Sequence, residues 1–99
     1  MDIRAGTIVE VEDFPEAQKP AYQLKIDFGE MGILQSSAQV TELYSKETLL
    51  NKQVMAIVNF PPKQIANFTS ECLVLGVYHQ DGVVLLKPDQ AVENGNKVG

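Results

Sequence analysis

The 99 residues contain no tryptophan, one cysteine (Cys72), one histidine (His79) and one arginine (Arg4). Each scarcity excludes something. A lone cysteine forms no internal disulfide and favours a reducing, cytoplasmic setting. One Cys and one His do not make the usual zinc site, and Asp81, Asp89 and Glu93 lack calcium-loop spacing, so no metal and no cofactor is expected. Imidazole catalysis would have to use His79, beside an Asp-Gly turn, and no serine stands in a Gly-x-Ser-x-Gly context. No catalytic residue is assigned. The longest uninterrupted apolar run, Val54 to Val58, stops far short of the ~20 residues of a membrane span. The opening Met1-Asp2-Ile3-Arg4 has no apolar leader, so no membrane insertion is expected.

Positive charge is also scarce. Eight basic residues face 13 acidic ones, for a net charge of −5. No two lysines are adjacent, which excludes a polybasic membrane segment and the strongly basic footprint of many nucleic-acid binders. A local basic patch stays open, because net charge says nothing about distribution.

What is present is an ordinary globular composition, 44% apolar and 21% charged. The length fits a single domain over residues 1–99. Size scaling gives a folded surface of about 5,600 Å² and burial of roughly 65% of the open-chain surface, enough for one core.

The patterning is mostly of period two, the mark of half-buried strands. In Ile3–Val11 the alternation puts Ile3, Ala5, Thr7, Val9 and Val11 on one face, with Ile8 the one apolar residue on the other. Phe14–Pro20 reads as a loop. Tyr22, Leu24, Ile26 and Phe28 alternate inward, and Gly29–Gly32 leads into a third strand, Ile33–Ser37. Then the period changes: Val40, Leu43 and Tyr44 fit one face of a short helix, with Ser37 as its N-cap. Val54–Val58 is apolar on both faces, as in a strand covered on both sides. Cys72–Tyr78 is a further β-rich run with Cys72 as a core residue. Asp81-Gly82 signals a hairpin into Val83–Leu86, and Asn94-Gly95 a last turn. Three strands, a short helix and two or three more strands describe an all-β five-stranded OB-fold barrel with its helix between strands 3 and 4.

The residues also resemble a known family. Asp2-Ile3-Arg4-Ala5-Gly6-Thr7-Ile8, Ile26-Asp27-Phe28-Gly29, Gln35-Ser36-Ser37-Ala38-Gln39-Val40, Val58-Asn59-Phe60-Pro61-Pro62-Lys63, Phe68 with Ser70-Glu71, and Leu85-Leu86-Lys87-Pro88-Asp89-Gln90 with Asn94-Gly95 follow one another in order. The set is similar to the tRNA-binding OB domain of stand-alone tRNA-binding proteins and of the C-terminal appendage of methionyl-tRNA synthetases. Within that group it most resembles the CsaA-type, export-related chaperones. The resemblance implies RNA binding, a five-stranded barrel, a homodimer and no catalytic activity. It implies a ligand surface around Arg4, Gln35-Ser36-Ser37 and the loop Asn59–Glu71. The family's Gly-Phe pair reads Asn67-Phe68 here, and Asn is the residue best able to replace Gly at positive φ.

The RNA-binding candidates are accordingly Arg4, Gln35, Ser36, Ser37, Asn59, Lys63, Phe68, Ser70 and Glu71. The Arg4 fork suits a phosphate or a base edge, or pairs with a carboxylate such as Glu71. Lys63 meets a phosphate or is merely solvated. Phe60 and Phe68 stack on bases or plug the barrel end. The serines donate to phosphate or sugar, or serve as caps and turns.

Two functions follow. The first is a module binding tRNA or another structured RNA. The second is a chaperone for unfolded precursor proteins of the export machinery, using apolar surface near Phe14, Phe60, Ile65 and Phe68 in a homodimer.

Overall fold

The computed structural model describes residues 1–99 throughout. Its strands are β1 (Ile3–Asp13), β2 (Tyr22–Asp27), β3 (Ile33–Ala38), β4 (Gln53–Ile57), β5 (Lys63–Ile65), β6 (Phe68–Ser70), β7 (Leu73–Val74), β8 (Gly76–His79) and β9 (Gly82–Leu85), with one α-helix, α1 (Lys46–Leu49). Five strands form an antiparallel sheet in the order β3-β2-β1-β4-β7. The sheet curls until its two edges, β3 and β7, lie side by side. The result is a nearly closed five-stranded barrel of OB type, with two hairpins, β5–β6 and β8–β9, attached.

The curling depends on β1, which serves two neighbours. Ile3–Thr7 pairs with β4, and Thr7–Asp13 pairs with β2. The register against β2 slips between Ile8 and Glu10. Such a bulge adds one residue, bends the strand and reverses which side chains face in. The period-two reading of β1 is corrected on both sides of the bulge: Gly6 and Ile8 face the barrel before it and Val11 after it. Ile8, expected on the outer face, is fully buried, and Val9, expected inside, is 40% exposed. Ala5 is buried on the opposite face because residues 95–98 run back along β1. Gly95 N–H donates to the Ala5 carbonyl, Ala5 N–H to that of Asn96, and Val98 N–H to that of Ile3.

The core gathers Ile8, Leu24, Ile26, Phe28, Val54, Ala56, Leu49 and Cys72 inside the barrel. Leu24, Ile26 and Phe28 point inward as their alternation requires. Gly6 lies against them: a Cβ built there would come within 2.6 Å of Ile26 Cγ2 and 2.7 Å of Phe28 Cε1.

The helix also differs from expectation. Residues 39–44 are irregular with a turn at 41–43, and α1 begins only after Ser45. Ser45 and Thr48 make a reciprocal capping box: Thr48 N–H donates to Ser45 Oγ at 3.1 Å and Ser45 N–H to Thr48 Oγ1 at 2.9 Å. Ser37, expected as the cap, is a β3 residue. The helical spacing of Val40 and Tyr44 arises from tertiary packing. Val40 is in the core, and Tyr44 is pinned by its own polar groups. Its hydroxyl accepts from Leu85 N–H and its carbonyl accepts from the Tyr22 hydroxyl.

Gly6→Ala is expected to destabilise the chain by about 1–3 kcal/mol, because a methyl group there overpacks a filled core. Urea unfolding checks this; an unchanged midpoint would mean that Ile26 and Phe28 give way freely.

Candidate functional site

The sheet edges meet at a seam that gathers six of the nine RNA-binding candidates. Glu71 N–H donates to the Gln35 carbonyl at 2.8 Å, and Gln35 N–H donates to the Glu71 carboxylate at 3.0 Å. The Gln35 side-chain amide donates to the Thr69 carbonyl at 2.8 Å. Ser37 N–H donates to Ser70 Oγ, which in turn donates to the Cys72 carbonyl. Ser36 is fully buried and Ser70 is 4% exposed. These side chains weld β3 to the β5–β6 hairpin. Ser36 and Ser70 do not reach solvent, the Gln35 amide is engaged with β6 and the Glu71 carboxylate with β3. Lys63 joins the same group because it pairs with Ser70 across the hairpin. Its own side chain is free of hydrogen bonds and ion pairs and stands exposed on β5.

Arg4 and Asn59 form a second, separate group. Arg4 Nε lies 3.0 Å from the Asp2 carboxylate and its Nη1 donates to the Gly95 carbonyl at 3.0 Å. Its carboxylate partner is thus Asp2, and Glu71 is committed to Gln35. The Asn59 side-chain oxygen accepts from Asp2 N–H at 2.7 Å. No hydrogen bond joins this group to the seam.

The aromatic candidates divide. Phe68 and Phe14 are buried, with ring centroids 5.4 Å apart at an interplanar angle of 56°. With Ala21, Ala17 and Ile65 they make a small second core that ties the loop at 14–20 to the hairpin. Neither ring is open to a base or a polypeptide. Phe60 is half-buried ahead of Pro61-Pro62, whose fixed φ stiffens the approach to Lys63. The left-handed residue of the hairpin tip is Ala66, at φ 52°, and not Asn67.

Two clefts flank Ser37 and Lys63. One, of about 480 Å³, lies between the 14–20 loop and the hairpin and is lined by Lys19, Gln39 and Ala66 among others. The other, of about 470 Å³, is mostly apolar and runs from Phe60 and Ile65 toward Leu73, Tyr78 and Val83. The loop at 14–20 is a wall that the sequence pattern does not single out. The one local signal for it is Lys19, a lysine flanked by Gln18 and Pro20.

His79 sits at the β8–β9 turn, where its Nδ1 accepts from Asp81 N–H at 3.1 Å. No three His, Cys, Asp or Glu side chains gather as metal ligands would. No helix is long and apolar enough to cross a membrane.

A family model described as "Putative tRNA binding domain" matches residues 3–97. The chain belongs to this tRNA-binding domain family. It is 37% identical over 98 residues to the methionine–tRNA ligase of Thermococcus onnurineus, covering 99% of this chain and 13% of that enzyme. The relationship is therefore to one part of a much longer protein. Two solved structures resemble this tRNA-binding domain over almost their whole length. The CsaA chaperone of Picrophilus torridus is 60% identical with a TM-score of 0.95, covering 99% of this chain and 91% of its own. The CsaA chaperone of Bacillus anthracis is 52% identical with a TM-score of 0.93, covering 99% and 90%.

Cys72 closes the seam from inside, its Sγ 3.7 Å from the Gln35 carbonyl. Burial, then the nearby Glu71 carboxylate, push its thiol up from 9.0 to about 12. At neutral pH it is a thiol and not a nucleophile. Because the folded value is raised, its contribution to stability is intact below about 9 and is lost as pH rises toward about 12. Iodoacetamide at pH 8 is expected to leave Cys72 unmodified in the folded chain and to alkylate it in 6 M guanidinium, read by mass spectrometry. Rapid labelling of the folded chain would show that the seam opens.

Proposed function

We propose that this chain binds folded tRNA by its sugar–phosphate backbone along the β3 edge and the β5–β6 hairpin. The observation that carries the reading is the state of Lys63. It is exposed and unpaired, yet it stands on a hairpin fixed by the seam, by Phe14–Phe68 and by two prolines. A cation held on a stiff support loses little freedom on meeting a phosphate. The Ser37 hydroxyl and the Phe60 ring lie on the same surface, suited to a ribose contact and to a base. Ser36, Ser70, Gln35 and Glu71 support this surface from beneath. Arg4 stays with Asp2.

The acidic balance sets the strength. Few phosphates can be neutralised, so binding is weak and its salt slope shallow. Lys63→Ala is expected to weaken tRNA binding several-fold and to lower the slope of log affinity against log salt by about one. Fluorescence polarisation with bulk tRNA across a series of salt concentrations reads both. An unchanged slope would place the contact elsewhere.

A second reading rests on a different surface. Leu73, Val77 and Val84 are 45%, 55% and 39% exposed and Tyr78 is 94% exposed, around the β8–β9 hairpin. Apolar side chains so grouped suit a homodimer or an unfolded precursor polypeptide. Phe14 and Phe68, expected in that role, are interior, which leaves Phe60 and Ile65 with the β7–β9 face. Val84→Asp is expected to abolish self-association in sedimentation and to reduce capture of an unfolded polypeptide, both with little dependence on salt. If the variant sediments and binds as the parent does, this face takes no partner.

A further inference from the structure

Of the eight basic residues, Arg4, Lys25 and Lys46 are ion-paired and Lys52 lies over the Tyr44 ring. Lys19, Lys63, Lys87 and Lys97 have no such partner. Two of these four, Lys19 and Lys63, converge on one cleft from opposite walls, one on the 14–20 loop and one on β5. The cleft, about 480 Å³, lies within the range of small-molecule sites, about 300–1,000 Å³. Its walls cannot drift apart, because Phe14 and Phe68 pack beneath them. Its rim includes Ala66 in the left-handed region at φ 52°, a strained conformation for a residue with a Cβ.

The remaining polar lining is chiefly of amides, with one carboxylate. Gln64 is locked, its amide on the Ala66 carbonyl and its oxygen on Thr69. Gln18 and Gln39 make no side-chain hydrogen bond within the chain and are exposed to the cleft. Glu16 is the only acidic side chain lining it.

We propose that this cleft takes one unpaired nucleotide of the bound RNA, with guanine as the preferred base. The proposal rests on the tRNA reading of the adjoining surface and adds a specificity site to it. Lys19 and Lys63 hold the phosphate. Gln18 and Gln39 can each donate and accept, so they fit a base edge of mixed character. Glu16 only accepts, and it repels a phosphate. It therefore faces the base. Guanine presents two adjacent donors, N1–H and the 2-amino group, to a carboxylate. Uracil presents a single N–H between two carbonyls and fits poorly.

The test is an amide-resolved NMR titration of the 99-residue chain with 5′-GMP, with 5′-UMP and with inorganic phosphate. Saturable shifts are expected with GMP in the Gln18 and Gln39 side-chain amides and in the backbone of residues 16–19 and 63–66. UMP is expected to bind about ten-fold more weakly, the discrimination of one good bidentate contact. Lys19→Ala is expected to weaken GMP about five-fold, as befits one exposed charge contact. Glu16→Gln is expected to erase the preference over UMP. Both substitutions are of exposed residues, and the spectra themselves report the fold.

GMP shifts that phosphate alone reproduces, that fall elsewhere, or that UMP matches would overturn the proposal. Polarisation with bulk tRNA on the same samples separates it from the reading beneath it. Retained tRNA binding without a GMP response in the cleft removes this site alone. A GMP response without tRNA binding removes the tRNA reading and leaves a mononucleotide site.

Discussion

The reciprocal pair between Gln35 and Glu71 is the contact on which the rest of the molecule depends. A five-stranded sheet that curls leaves two edges with unpaired backbone groups. Here one edge, β3, would otherwise meet the two-residue strand β7, which is too short to satisfy it. The chain solves this with side chains and one residue outside any strand. Glu71 gives its N–H and its carboxylate to the two backbone groups of Gln35. Ser70 and Cys72 continue the contact on either side. No buried side-chain polar atom is left without a partner, so the seam carries none of the penalty of an unsatisfied group. The same residues that close the barrel also fix the β5–β6 hairpin against it. Barrel closure and presentation of Lys63 are one structural event.

This dual use explains why the seam residues read as ligand contacts in the sequence. Gln35, Ser36, Ser37, Ser70 and Glu71 are ligand candidates through the family resemblance, and in sequence a polar residue that closes a seam looks the same as one that meets a ligand. Only burial tells them apart, and burial depends on how distant strands meet. The strands themselves are legible: Leu24, Ile26 and Phe28 alternate, Asp81-Gly82 turns, and the barrel follows from their order. Two local departures have definite causes. Ile8 lies inside because it shares the barrel-facing parity of Gly6, and the bulge after Ile8 brings Val11 to that same face, so no single alternation runs through β1. The helix lies beyond 37–44 because the burial spacing shared by Val40 and Tyr44 is one that turns can also produce. The deciding local signal, Ser45 with Thr48 three residues on, sits just past that apolar spacing.

The small second core matters out of proportion to its size. Phe14, Ala21 and Phe68 contribute little to total burial beside the barrel interior. Their placement gives them their effect. They join a loop between β1 and β2 to a hairpin far along the chain. Loop and hairpin carry Lys19, Gln18 and Lys63, with Gln39 beside them, and none of these four side chains is used to hold the fold together. Without that aromatic contact the 14–20 segment would be an ordinary surface loop with exposed lysine and glutamine. With it, two walls keep a fixed spacing.

Net charge looks at first like an argument against any role with nucleic acid. The distribution of partners reverses that argument locally. Three basic residues are neutralised by Asp2, Glu10 and Asp13 on or beside β1, so that flank presents no free cation to an RNA. Lys46, exposed as it is, has its proton held more firmly by the Asp13 carboxylate. The unpaired Lys19 and Lys63 are thereby left in the one place where seam, proline-stiffened loop and aromatic pair coincide. At physiological ionic strength charges separated by more than about 8 Å are largely screened, so the distant acidic residues would weaken the approach of any polyanion more than a contact at Lys19 and Lys63. An acidic chain with two converging cations should thus discriminate by local geometry more than by attraction at a distance. A strongly basic surface would do the opposite.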